Sequence, residues 1–296
     1  MKIIFDLGFN NGQNFDYFLM KSDVVIGFDA NKNVYNKVSE KYKFHIKNRS
    51  LILENLSLVE DEKQKSLDFY ISKKNDVLST LYPENKNDFY KVNVKCEKAS
   101  SLIKKYLKKY NTNDIEYIKI DIEGSDKYVL KDLFENKIFP KNLSVECKDS
   151  EVINLILSSP YKSFKFVKGG DVKNLKNINI KTKDSQLKNL NFDIHSSGPY
   201  GEDILGDFFS KDSILPYFLN NGLGWKDIHC CLEETNYNQS IKYNRQVHRP
   251  SFRYHLKRLF PSFVIMLKSS FRYHLKRLFP SLVKMLKYCR SNLFKN

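Results

Sequence analysis

Two acid-bearing stretches carry most of the residues with chemistry to offer: Asp6-Leu7-Gly8-Phe9-Asn10-Asn11-Gly12-Gln13 and Lys119-Ile120-Asp121-Ile122-Glu123-Gly124. In the first, Gly8 and Gly12 bracket a turn, where glycine permits positive φ and lets backbone approach a ligand closely. The spacing is G-x-x-x-G preceded by Asp6, not the G-x-G-x-x-G of dinucleotide sites. An acid before such a turn repels a pyrophosphate and suits a cationic amino or sulfonium group. Asp29 ends the apolar run Val24 to Phe28, a place from which an acid accepts hydrogen bonds from two ribose hydroxyls. Together Asp6, Gly8, Asn10, Gly12 and Asp29 describe a site for S-adenosylmethionine better than one for NAD. The competing reading is that Asp6 and Asn10 cap the following helix and Gly8 only makes room.

In the second stretch, Asp121 and Glu123 share one face if the strand stays extended through Ile122. One could orient a ligand while the other takes a proton from it, as a general base. His195 is the second candidate base, its ordinary pKa of about 6.5 suiting neutral pH. The alternative is that one of the two acids caps the helix beginning near Ser125 and Asp126. Paired carboxylates can also hold a divalent metal, but the spacing offers no third ligand and no metal is expected.

These residues need a frame that brings them together. Ile3 to Phe5 and Tyr117 to Ile120 are short apolar runs that read as buried parallel strands. Open α/β sheets bind ligands beyond the carboxyl ends of their strands, so the two stretches point to one crevice. Between and after them the pattern predicts helices at 12–20, 33–42, 101–110, 126–134 and 151–157. It predicts further strands at 24–28, 51–59, 117–122, 143–147 and 164–167, with a polar loop over the cleft at 72–91. This alternation is an α/β fold with a mostly parallel sheet. The expected organisation is a domain over 1–240, with its core in 1–167 and a lid or substrate region in 168–240, followed by a tail over 241–296. Within the lid region, Gly198-Pro199-Tyr200-Gly201 marks a tight turn flanked by His195, Ser196, Glu202 and Asp203.

The chain resembles the FkbM family of S-adenosylmethionine-dependent methyltransferases. The resemblance rests on D-L-G-F-N-N-G-Q at 6–13, F-D-A-N at 28–31 and Y-I-K-I-D-I-E-G-S-D at 117–126. Weaker support comes from N-L-S-L-V-E-D at 55–61, L-D-F-Y-I at 67–71 and L-S-V-E at 143–146. H-S-S-G-P-Y-G-E-D-I at 195–204 and G-W-K-D-I-H at 224–229 look like a region some members carry after the core. Where the family more often has Glu, this chain has Asp29, with the same chemistry. The resemblance implies a class I Rossmann-like methyltransferase that uses S-adenosylmethionine, with Ser57 joining the cofactor-binding set. It also implies methyl transfer to a hydroxyl oxygen, the acceptor being a small molecule or glycan such as a sugar or glycoconjugate.

Composition narrows the partners. Of 50 Lys and Arg, thirteen lie in residues 245–296, which contain no acid; the remaining 37 face all 34 Asp and Glu. The net charge of +16 is therefore a property of the tail, and a nucleic-acid-binding enzyme surface is not expected. Five cysteines without a C-x-x-C pattern fit free thiols in a reducing, cytoplasmic setting. The tail is a tandem repeat: Ser251–Ser269 and Ser270–Tyr288 differ only at 263/282, 265/284 and 269/288. Each copy is a basic amphipathic helix pattern interrupted by Pro261 or Pro280. Such a helix suits an anionic membrane surface, which would make the protein peripheral at the inner face of a membrane. The alternative is a helical hairpin packed on the body or on another subunit; the oligomeric state is left open.

Overall fold

The computed structural model describes residues 1–74, 79–222 and 225–234, so the tail readings, on membrane contact and on helical packing, lie outside the described residues. The chain opens on β1 (Ile3–Leu7), α1 (Phe15–Lys21), β2 (Val24–Asp29), α2 (Lys32–Lys41), α3 (Lys43–Lys47) and β3 (Leu51–Asn55). Next come β4 (Ser57–Val59), β5 (Ser66–Ser72), β6 (Phe89–Lys98), α4 (Ala99–Lys109) and β7 (Ile115–Ile120). Then follow α5 (Asp126–Glu135), β8 (Asn142–Glu146), α6 (Ser150–Leu157), β9 (Ser163–Lys168) and α7 (Gly169–Val172). The hairpin β10 (Ile178–Lys181) and β11 (Leu187–Leu190), α8 (Lys211–Asn221) and β12 (Lys226–Cys231) complete the described chain.

Seven strands form the central sheet in the order β3-β2-β1-β7-β8-β12-β9. All run parallel except β12, which is antiparallel to both its neighbours. The strands alternate their side chains between two apolar layers, as the two-residue period requires. Ile3, Phe5 and Leu7 join one layer with Ile118, Leu130 and Ile153, while Ile4 joins the other with Phe18, Tyr117 and Phe192. Burial on both faces explains why β1 and β2 read as unbroken apolar runs.

Four sequence expectations change. The run 51–59 is two strands, because after Asn55 the chain leaves the central sheet and β4 pairs with β6 in a separate three-stranded sheet. The strand expected through Ile122 stops at Ile120, since Asp126 draws the Ile122 and Gly124 amides into a turn, each at 3.0 Å. The core does not end at residue 167: β12, from the region assigned to a lid, is inserted between β8 and β9. The first helix begins at Phe15 instead of Gly12, after a turn in which Asn10 and Gly12 both have positive φ.

Candidate active site

The carboxyl ends of β1, β2, β7 and β8 surround one cleft, with an empty volume of about 1100 Å³ reckoned to its open mouth. Gly8, Asn10, Asp29, Ser57, Asp121, Glu123 and His195 all line it. Asp6 and Gly12 do not.

Asp6 is fully buried within β1, facing its ladder partner Lys119 on β7, whose Nζ lies 3.3 Å from Asp6 Oδ1. Burial pushes the Asp6 carboxyl up to about 6, against the pull of the lysine. The same Lys119 Nζ donates to the Gly8 carbonyl at 2.8 Å and stands 3.4 Å from Asp121 Oδ2. Burial works against its charge, but Asp6 and then Asp121 outweigh that and keep it protonated. One buried ammonium thus ties the glycine turn to the second acid stretch. Asp6 acts on the cleft through Lys119, not as a cofactor contact. Gly8 is required for a reason within the fold: at φ +88°, a Cβ there would lie 1.8 Å from the Asp121 carbonyl oxygen. Gly12, at φ +70°, packs near Phe15, Tyr42 and Val38 behind the turn.

Asp29, half-buried, accepts from the Asn10 amide at 2.9 Å and the Asn31 amide at 2.8 Å. Burial raises its carboxyl to about 6, opposed by those two hydrogen bonds. Asn55 Nδ2 donates to the Asp29 and Ala30 carbonyls, at 2.9 and 3.2 Å, and so pins the loop. Two cleft residues beside Asp29 keep buried atoms without a hydrogen-bond partner: the acceptor Asn10 Oδ1 and the donor Asn31 Nδ2. Buried polar groups are rarely left so without a ligand to meet them. An acceptor, a donor and a carboxylate together match the hydroxyls of a ribose, so the residues present fit the nucleoside of S-adenosylmethionine. The helix-capping alternative for Asp6 and Asn10 does not hold: the N-cap of α1 is Asn14. Ser57 lies in the wall that Leu56 and Leu58 continue.

At the other end, Asp121, Glu123 and a third acid, Glu146 at the tip of β8, bring carboxylate oxygens within 4.8 Å of one another. Neither Asp121 nor Glu123 caps α5, because Asp126 takes both amides of the turn. Glu123 reaches the cluster from a left-handed turn, at φ +54°, and not by sharing a strand face with Asp121. Its carbonyl accepts from Thr80 Oγ1 at 2.6 Å, and Ser79 and Leu81 line the cleft; the loop expected at 72–91 gives way to strand β6 from Phe89. Lys148 Nζ lies 2.6 Å from Glu123 and 2.7 Å from Glu146. Burial raises the Glu146 carboxyl, Asp121 adding to the effect and Lys148 opposing it. Asp227 on β12, the ladder partner of Glu146, also faces the cleft with its carboxyl raised by burial.

His195 stands exposed at the rim, its ring centroid 6.1 Å from that of Trp225. Ser196 and Ser197 dock on α1, where Asn14 Oδ1 accepts from Ser196 Oγ at 2.6 Å and the Ser197 amide at 3.2 Å. Asp203 serves structure: it pairs with Lys21 at 2.8 Å and accepts from the Tyr17 hydroxyl at 2.7 Å. Glu202 is exposed and outside the cleft lining. Sequence reasoning missed Lys119, Glu146, Lys148 and Asp227 as site residues. Glu146 had a signal, an acid ending an apolar run, and Lys119 stands inside the motif itself. Asp227 and Lys148 depend on pairings that no local pattern announces.

A strand order in which β1 and β7 are central, with a glycine turn after β1 and an acid at the tip of β2, defines a Rossmann-like methyltransferase of class I. The chain belongs to the FkbM family: the model of the methyltransferase FkbM domain matches residues 6–155. It is accordingly an S-adenosylmethionine-dependent methyltransferase. No curated protein matches the chain. Among solved structures it is similar to an rRNA methylase from Streptococcus thermophilus, at 12% identity and TM-score 0.33, over 56% of this chain and 76% of that one. It is also similar to the methyltransferase domain of a bacterial CtHen1, at 13% identity and TM-score 0.31, over 56% and 79%. A third is a dimethyladenosine transferase from Plasmodium falciparum, at 11% identity and TM-score 0.30, over 56% and 49%. Among the described residues no helix is long and apolar enough to cross a membrane.

Proposed function

We propose that the protein methylates a hydroxyl oxygen, the acceptor being a sugar or glycoconjugate. The observation that carries this reading is the division of one cleft into a nucleoside half, at Asn10, Asp29 and Asn31, and an acid half, at Asp121, Glu123 and Glu146. S-adenosylmethionine supplies an electrophilic methyl group when bound. A neutral hydroxyl attacks poorly until its proton leaves, and a positioned carboxylate that accepts it contributes roughly 10²–10⁴-fold. Holding both partners in near-attack geometry contributes roughly a further 7–11 kcal/mol.

Asp121 is the best-placed base. It lines the cleft with its side chain 34% exposed, and its ion pair to Lys119, the one it makes among the described residues, is longer at 3.4 Å than those of Glu123 and Glu146 to Lys148. Glu123 and Glu146 are already drawn together by Lys148 and serve to orient acceptor hydroxyls. Lys148 supplies the counter-charge that a metal would otherwise give, so turnover should survive a chelator. His195, at the rim, is a contact for the acceptor and not the base in this reading.

The test pairs calorimetry of the full-length protein with S-adenosylmethionine and a methyl-transfer assay on glycoside acceptors, with and without chelator. Cofactor binding with transfer to an amine in place of any hydroxyl would replace the oxygen reading with a nitrogen one.

A further inference from the structure

Neither cofactor binding nor proton removal uses Trp225, the one tryptophan of the chain. It lines the cleft and is 51% exposed. Its backbone is well fixed: its carbonyl accepts from the Gly169 amide at 3.2 Å, and the next carbonyl, of Lys226, accepts from Cys147 at 2.8 Å. In the ladders, Asp227 pairs with Glu146 and Lys226 with Lys168. One residue beyond the Lys226–Lys168 pair, Trp225 meets Gly169. A Cβ at Gly169 would fall 2.3 Å from the indole Cε2, so the bare glycine is what admits the ring. The indole therefore lies over Gly169 and shares one cleft lining with Glu123 and Glu146, with the His195 ring next to it.

We infer that Trp225 is the platform for a pyranose ring of the acceptor, whose hydroxyls meet Glu123 and Glu146, the two cleft acids that Lys148 holds together. A pyranose has a C–H face of weakly positive hydrogens, which suits the negative face of an indole. Its hydroxyls both donate and accept, so they need acceptors and donors side by side; two carboxylates sharing an ammonium provide both. A cationic acceptor would also suit an aromatic ring beside carboxylates. Here the ammonium of Lys148, 2.6 and 2.7 Å from the two acids, already fills that role, and a neutral ring is the better fit. The inference rests on the oxygen-methylation reading above and names the part of the acceptor that the cleft holds.

A single tryptophan makes the test direct. Emission of the full-length protein, with S-adenosylhomocysteine bound, is followed while methyl glycosides of hexoses, 6-deoxyhexoses and N-acetylhexosamines are added in turn, and separately tetramethylammonium. At least one glycoside should give a saturable blue shift. Trp225→Ala should weaken calorimetric binding of that glycoside about tenfold or more, as loss of an aromatic anchor does, while the cofactor product still binds. A shift with tetramethylammonium alone, or none with any glycoside although the cofactor product binds, overturns the platform and leaves the methyltransferase intact. Failure to bind the cofactor product in the same calorimetry overturns the underlying reading, and the platform falls with it.

Discussion

Lys119→Met removes the ammonium that holds the two acid stretches together while keeping a side chain of similar length. In the native protein Asp6 is fully buried, and Lys119 is the one cation the structure sets against it among the described residues. Breaking a buried pair from one side costs about 3–5 kcal/mol, because a charge is left uncompensated. For a domain of this size that corresponds to a fall in melting temperature of roughly 6–20 °C. The loss should depend on pH, and its sign follows from Asp6. Its folded pKa, about 6, lies above the ordinary 3.8, so folding favours the proton and the stability Asp6 contributes is lost as pH rises through 6. Without Lys119 that pKa moves higher still, so the carboxyl is protonated and harmless at pH 5, whereas at pH 8 folding must either hold the proton against the solvent or bury a bare charge. Thermal denaturation of wild type and Lys119→Met at both pH values should show the deficit large at pH 8 and much smaller at pH 5. Adding Asp6→Asn to the variant should restore most of the loss at pH 8. An equal deficit at both pH values, or no rescue by the second substitution, would refute the assignment of Lys119 as the partner of a buried charged Asp6.

Asp29→Ala should weaken S-adenosylmethionine binding by about 1.5–3 kcal/mol, read by calorimetry, since it removes a charged acceptor and frees the Asn10 and Asn31 amides; unchanged affinity would remove Asp29 from the cofactor site. Asp121→Asn should lower kcat by roughly 10²–10⁴ with little change in melting temperature, and a falling melting temperature with normal turnover per folded molecule would make Asp121 structural. Deleting residues 245–296 removes thirteen basic residues, each contributing about 1 kcal/mol near an anionic surface. The truncated protein should therefore lose salt-sensitive co-sedimentation with anionic vesicles, and equal sedimentation of both forms would rule out the membrane reading of the tail.

What the sequence reveals and what it hides divide along physical lines. β1 and β2 are buried on both faces, so their apolar runs were visible, and Asp29 stands out because it ends one of them. Gly8 was legible as a turn, but its reason, the carbonyl of Asp121 at its back, is a contact across more than a hundred residues. The pairing of Asp6 with Lys119 is likewise a matter of register between two strands. The sequence pattern places Asp121 and Glu123 on an extended strand that does not exist there; a turn built by Asp126 brings the carboxylates together instead. Lys226–Cys231 escaped because a strand arriving antiparallel, long after the βα alternation has ended, has no neighbour in sequence to suggest it.

That late strand has a consequence for how the enzyme comes into being. As the chain leaves the ribosome, Asn10, Asp29, Asn31 and Ser57 of the cleft are synthesised by residue 57, and Asp121, Glu123 and Glu146 by residue 146. Yet β8 and β9 cannot be joined until β12 emerges some eighty residues after β8. Closing contacts of such sequence separation is slow, and until then each neighbour offers an unpaired edge. A nascent chain or a fragment ending before residue 226 should therefore be the aggregation-prone species of this protein. Asp227 arrives on the strand that seals this gap and Trp225 directly before it, so this wall of the cleft is assembled by the same event that removes the hazard.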